Sequence, residues 1–296
     1  MGIEINSLVK RYGKNPILNG INIFIQDPGV YLIAGPNGSG KTTLLETLVG
    51  LRKYDKGKIE INGSSKDDIK MKKKVGFLTQ HNTLRKNCTV GEELQLVKEL
   101  FNLNIDPYAF LEKFKLQEYY HIMTKKLSGG TKRRVLIAML FMPSYEIVVL
   151  DEPVSGLDTF SRDEIWNMIT EYASNKIVLV SDHYLNQAAQ YSDFVYLLKK
   201  GKIILEGKTT DLIEHFDKGY VIKTRERNIE ELNKIIEKEN ILFDIKISGS
   251  VYNYFFRRED YDSIRSIHLS PKYNIHPINL EDIYFYYTGE YLEEVE

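Results

Sequence analysis

Residues Gly35 to Thr42 read G-P-N-G-S-G-K-T and follow an apolar run, Val30 to Ala34. The pattern is G-x-x-x-x-G-K-[ST] at a strand-to-helix junction, the sequence form of a phosphate-binding loop. Glycine lacks the Cβ that would hold a phosphate away from backbone N–H groups, and its φ is free. The loop ends where a helix begins, and the unpaired N–H groups and dipole of a helix N-terminus favour an anion. Lys41 adds a point charge for the outer phosphates, and Thr42 a hydroxyl for Mg2+. The loop points to a nucleoside triphosphate and leaves open what its energy drives.

Two further segments carry chemistry. In Ile147-Val148-Val149-Leu150-Asp151-Glu152, four apolar residues bury a strand and two carboxylates emerge at its C-terminal edge. Ligands of open α/β sheets collect at that edge. One carboxylate can hold Mg2+ through water while the next faces an attacking water; a buried strand ending in solvated acids fits the same letters. In Leu127-Ser128-Gly129-Gly130-Thr131, followed by Lys132-Arg133-Arg134, Ser128 can cap a helix starting at Gly129 and leave its N–H groups outward. Two adjacent glycines then admit a phosphate. Taken alone, this segment reads better as a well-capped helix.

The elements that must position these residues follow from periodicity and turn signals. Residues 3–9 and 21–25 alternate apolar and polar like paired strands, and Val30 to Ala34 is a buried strand. Lys41 to Gly50 places Leu44, Leu45, Leu48 and Val49 on one helical face. Short strands are expected at 58–62 and 75–79. Residues 89–126 turn helical, opened by a capping box at Thr89-Val90-Gly91-Glu92. Then come helix 129–142, strand 146–150, helix 160–173, strand 176–181, helix 184–190 and strands 194–198 and 202–205. Strand–helix alternation of this kind predicts an α/β fold with a parallel sheet. From about residue 218 the order becomes strand 219–224, helix 229–239, strands 241–247 and 251–257, helix 259–267 and strand 273–277. That βαββαβ succession is the ferredoxin-like pattern, an α+β domain. A last helix, 279–288, carries Tyr284, Phe285, Tyr286 and Tyr287.

Composition bounds the function. The 296 residues suit two domains, and 43% apolar with 27% charged is ordinary for a globular chain. A net charge of −1, from 40 basic and 41 acidic residues, gives no support to nucleic acid held by bulk electrostatics. Cys88 is the sole cysteine, so no intrachain disulfide and no thiolate cluster can form. Met1-Gly2-Ile3-Glu4 lacks signal-peptide character, and no apolar run reaches membrane-spanning length. The expected place is the cytoplasm, with any membrane role supplied by a partner.

The order of motifs is more specific than any one of them: P-loop, Gln80, L-S-G-G, Asp151-Glu152, Ser155-Gly156-Leu157-Asp158, then Asp182-His183. With these in sequence, residues 1 to about 215 resemble the ATP-binding-cassette (ABC) ATPases. The resemblance implies a P-loop ABC domain over 1–215, a mixed sheet with a helical subdomain at about 84–142; residues 218–296 lie beyond it and read from their element order as a separate accessory domain, for dimer contact or regulation. It implies that Tyr12 stacks on adenine and that Gly35, Pro36, Asn37, Gly38, Ser39, Gly40, Lys41, Thr42 and Thr43 form the phosphate loop. Thr42, Gln80 and Asp151 would serve Mg2+, Glu152 would activate water, and His183 would contact the γ-phosphate. Gln80 would also reach the water and sense the partner. In the family's geometry, Ser128, Gly129 and Gly130 of one subunit complete the ATP site of another, with Asp158 at that contact. Thr131 stands where the family most often has Gln, and Val154 where Thr is frequent.

The resemblance also suggests the job. The insertion after Gln80 shows no long heptad run, unlike relatives that carry coiled coils. One cassette without membrane spans looks like the motor of a transporter, with Gln80 and the helical insertion docking on a separate permease. The C-terminal pattern Leu280-Glu281-Asp282-Ile283-Tyr284 and Thr288-Gly289 resembles ATPases of bacterial exporters with ABC-2-type permeases. A homodimer, or pairing with a second ABC ATPase subunit, is expected, with ATP and Mg2+ as ligands. The alternative is a soluble ABC ATPase acting as a nucleotide-dependent switch on a non-membrane partner.

Overall fold

A computed structural model describes residues 2–65, 74–225, 228–238, 240–268, 273 and 275–292. The chain forms two compact units, Met1–His183 with Gln187–Glu206, and Tyr184–Asn186 with Gly207–Glu296.

The first unit holds two sheets. One is antiparallel, in the order β2-β1-β4-β5, from β1 (Ile3–Tyr12), β2 (Asn15–Ile25), β4 (Lys56–Ile61) and β5 (Ser64–Ser65). Alternation in β1 and β2 sends Ile3, Ile5, Ile21, Ile23 and Ile25 inward. The other sheet runs β10-β9-β3-β8-β7-β6, formed by β3 (Gly29–Ala34), β6 (Val75–Leu78), β7 (Ile147–Asp151), β8 (Ile177–Asp182), β9 (Phe194–Lys199) and β10 (Lys202–Lys208). Strands β9, β3, β8, β7 and β6 are parallel. Strands β3, β7 and β8 are buried along their whole length, which is why they read as unbroken apolar runs. Between the sheets, α1 (Lys41–Leu48) packs Leu44, Leu45 and Leu48 against Ile5, Leu18, Ile33 and Val149 in one core. The phosphate loop is therefore tied at both ends to this core.

The insertion after β6 contains α2 (Val90–Leu100), α3 (Pro107–Glu112) and α4 (Gly129–Phe141). Each start has a local cause. Thr89 and Glu92 make the capping box, Asp106 caps α3 with Pro107 at its first position, and the Ser128 side chain accepts from the Thr131 N–H. Helix α5 (Thr159–Ala173) follows β7, and α6 (Leu185–Ala189) follows β8.

The second unit begins earlier than residue 218. Helix α7 (Thr209–Glu214) belongs to it, because Phe216 meets Tyr286 and Tyr287 edge-on and the Arg258 guanidinium donates to the Ile213 carbonyl. Its sheet is antiparallel in the order β12-β13-β11-β14, from β11 (Lys218–Arg225), β12 (Phe243–Ser248), β13 (Val251–Arg257) and β14 (Ile275–Pro277). Helices α8 (Ile229–Lys238) and α9 (Tyr261–His268) contribute Leu232, Ile236 and Ile264 to a core with Ile222, Tyr254 and Phe256. The opposite side chain of β13, Phe255, packs on Phe285 and Tyr286 of α10 (Leu280–Thr288). Both sheet faces are covered, which accounts for the run of buried aromatics in β13.

Candidate functional site

The loop between β3 and α1 is shaped by its glycines. A Cβ on Gly35 would meet the Leu198 carbonyl oxygen at 2.4 Å and Ser39 Oγ at 2.7 Å, so the loop folds back only with glycine there. Gly40 has φ +109° and Gly38 φ +77°, in the left-handed region that side chains avoid. Gly40 caps α1 without any side-chain bond, so the first N–H groups of the helix stay available. Lys41 is 4% exposed, and its Nζ donates to the Gly35 carbonyl at 2.7 Å and the Pro36 carbonyl at 3.4 Å. Burial pushes its pKa below the ordinary value, while Glu152, Asp151 and Asp182 pull it up. An ammonium already desolvated beside an open helix N-terminus suits a multiply charged anion, and the fit to a triphosphate is good.

The carboxylates divide at the end of β7. Asp151 is buried and accepts from Ser181 Oγ at 2.5 Å. Glu152 has φ +46°, a conformation costing a non-glycine residue about 1–3 kcal/mol. That turn breaks strand alternation and swings its carboxylate into the phosphate cleft. The surroundings hold it there. Its N–H lies 3.0 Å from Ser181 Oγ, and Arg133 donates to the carbonyls of Asp151, Glu152 and Pro153 at 3.3, 3.3 and 2.9 Å. Gln80 Nε2 donates to Glu152 Oε2 at 3.0 Å, and Glu152 Oε1 lies 3.8 Å from Lys41 Nζ and 3.9 Å from His183 Nδ1. One cleft of about 580 Å³ is lined by Tyr12, Asn37, Gly38, Gly40, Lys41, Thr42, Thr43, Gln80, Glu152 and His183. Ile17, which carries no motif signal, and Ser155, the first residue of the Ser155-Gly156-Leu157-Asp158 motif, line it too.

Tyr12 ends β1 at the mouth of this cleft, 45% exposed. Lys10 Nζ sits 5.1 Å and the Arg52 guanidinium 5.7 Å from its ring centre, and Arg52 also bonds its hydroxyl. An exposed ring flanked by cations is a fair platform for a flat base joined to phosphates.

Ser128, Gly129, Gly130 and Asp158 lie outside that cleft. Gly129 lines a second cleft, of about 500 Å³, with Gln80, Glu152, Lys86, Lys125 and Lys132. The two glycines have different tasks. A Cβ on Gly130 would strike Ser161 Oγ at 2.3 Å, so Gly130 lets α4 pack on the start of α5. A Cβ on Gly129 would find only Leu157 Cδ2, at 3.9 Å, so its backbone faces open space. Asp158 caps α5, accepting the Ser161 N–H at 3.0 Å and its hydroxyl at 2.7 Å, which lowers its pKa. Thr131, in place of the usual glutamine, gives its N–H and shares its hydroxyl with Ser128 Oγ.

Two residues that build the site are not evident from sequence spacing. Ser181 reaches it only because β8 is hydrogen-bonded beside β7. Arg133 reads as part of a basic run, yet it is buried. Fold and cleft together define a P-loop nucleotide-binding protein.

Comparison with known proteins refines that class. The ABC transporter family model matches residues 18–155. The chain is 26% identical to a Nod factor export ATP-binding protein I of Ralstonia nicotianae, over 99% of this chain and 95% of that one. It is 30% identical to the daunorubicin resistance ATP-binding protein DrrA3 of Streptomyces coeruleorubidus, over 71% of this chain and 69% of that one. A solved nucleotide-free ATP-binding cassette from an ABC transporter superposes with TM-score 0.62 at 27% identity, covering 70% of this chain and 92% of the cassette. The chain belongs to the ABC transporter family, as an ATP-hydrolysing subunit. No described helix is long and apolar enough to cross a membrane.

Proposed function

We propose that this chain is the motor of an exporter, acting on the cytoplasmic face of the membrane through a separate permease. Two ATPase subunits would share each ATP between the P-loop of one and Ser128 to Gly130 of the other. The exporter reading is supported by the names of two relatives, one matched over almost its whole length, which refer to export and to daunorubicin resistance. Shared sites are supported by the outward backbone of Gly129 on a capped helix, in a cleft with Lys86, Lys125 and Lys132 that the P-loop residues do not line.

The observation that carries the reading is Glu152, turned into the cleft and set beside Lys41, Gln80 and His183. Backbone N–H groups from Asn37 to Thr43 would cradle the β- and γ-phosphates, with Lys41 between them. Glu152 would take the proton of the attacking water, and His183 would contact the γ-phosphate. Thr42, Gln80 and, through water, Asp151 would hold Mg2+, a set of hard oxygen donors of the kind that ion shares with phosphates. The ion would neutralise phosphate charge. The second unit would form an accessory domain; the succession βαββαβ with strand order β12-β13-β11-β14 supports a ferredoxin-like fold.

The test joins chemistry to partner. A tagged Glu152→Gln chain, isolated with ATP from detergent-solubilised membranes of its host, is expected to bring down an integral membrane protein. Its ATP turnover should fall by at least ~10²-fold, the usual contribution of a general base, while an ATP-bound dimer accumulates. Normal turnover would show that Glu152 is not the base. Absence of any membrane protein from both variant and wild-type preparations would sink the motor reading.

A further inference from the structure

Among the described residues, the sheet of the second unit has two edges, and only one is blunted. Strand β14 is three residues long and ends in Pro277. Short length and proline are among the ways edge strands avoid further pairing. Strand β12 spans six residues without proline and pairs only with β13. The hairpin fixes which groups face out. Ser248 and Val251 flank a two-residue turn and so form a hydrogen-bonded pair. By alternation, Lys246 and Asp244 bond to β13, and the N–H and C=O groups of Phe243, Ile245 and Ile247 point away from it. Beside them Leu242, Ile245 and Ile247 are exposed at 65%, 39% and 53%.

We propose that β12 pairs antiparallel with β12 of a second copy of this chain, about a two-fold axis at Ile245. Outward groups must meet outward groups, which leaves three central registers. An axis at Asp244 sets that carboxylate against itself, and an axis at Lys246 opposes two ammonium groups. Like charges directly opposite destabilise a strand pair, and opposite charges stabilise it. The axis at Ile245 sets Asp244 against Lys246 twice, Ile245 against Ile245, and Phe243 against Ile247. Asp244 is already held by Lys218 Nζ at 2.8 Å and Tyr286 Oη at 2.6 Å, which fixes the carboxylate and leaves it acceptor capacity. Main-chain bonds supply the attraction and the charge pattern selects the register. The contact is isologous, so it closes at two copies. It needs no nucleotide, and stands or falls separately from the ATP-dependent dimer.

The experiment uses the full chain without nucleotide. By light scattering the wild-type protein is expected to be a dimer, and Ile245→Lys, which opposes two lysines at the axis, a monomer with the wild-type circular dichroism spectrum. In a Cys88→Ser background, Ile245→Cys should form a disulfide-linked dimer on oxidation, since paired Cα atoms lie about 5.5 Å apart. Ile247→Cys should not, because the two copies of residue 247 are offset by four residues, about 13 Å. A monomeric wild-type chain, a dimeric Ile245→Lys, or cross-linking of Ile247→Cys as fast as that of Ile245→Cys would each overturn the proposal.

Discussion

Arg133 shows how the Glu152 carboxylate is held. It is 8% exposed, and its guanidinium spans four carbonyls: Asp151, Glu152 and Pro153 after β7, and Thr79 just before Gln80, at 3.2 Å. Burial pulls its pKa down to about 10, which still leaves it charged at neutral pH. One side chain from α4 therefore fixes both the Glu152 and Gln80 loops. Lysine would keep the charge and lose the fork that serves several acceptors. Arg133→Lys is expected to lower kcat roughly tenfold, from about 1–3 kcal/mol of lost positioning, while ATP affinity measured by equilibrium titration stays near wild type. An unchanged kcat would remove Arg133 from this role. The contiguous motifs were legible as letters because neighbouring residues carry their chemistry. Arg133 and Ser181 were not, because burial and strand adjacency give them their partners. In the K-R-R run, Arg134 is buried as well, bonded to the Phe114 carbonyl and to Glu164, although such runs usually suggest solvated charge.

At the scale of elements, local signals predicted helices and strands well. Capping residues at Thr89, Asp106 and Ser128 mark helix starts in the chain and in the structure alike. What letters could not give is the partition of strands between an antiparallel and a mainly parallel sheet, since pairing partners are remote in sequence. The α4–α5 contact was likewise hidden. Two glycines in L-S-G-G look equivalent until Ser161 is placed against one of them. Gly130→Ala should destabilise the chain by about 1–3 kcal/mol through overpacking. Gly129→Ala should be near neutral in stability, its Cβ meeting nothing closer than 3.9 Å. Urea unfolding of the two variants checks this, and equal losses would contradict it.

At the scale of the whole molecule, the proposed function makes the P-loop half of a site. Lys41 and His183 line one cleft and Gly129 another, with Gln80 and Glu152 on the border of both. Mixing two inactive variants tests that division most directly. Lys41→Ala loses the phosphate cation, and Ser128→Arg fills the outward face of the signature helix. Each should be inactive alone. A mixed dimer pairs the intact P-loop of one subunit with the intact signature of the other, restoring one site of two. With half the dimers mixed, hydrolysis should return to roughly a quarter of the wild-type rate. Wild-type turnover by Ser128→Arg alone, or no recovery on mixing, would contradict a shared ATP site.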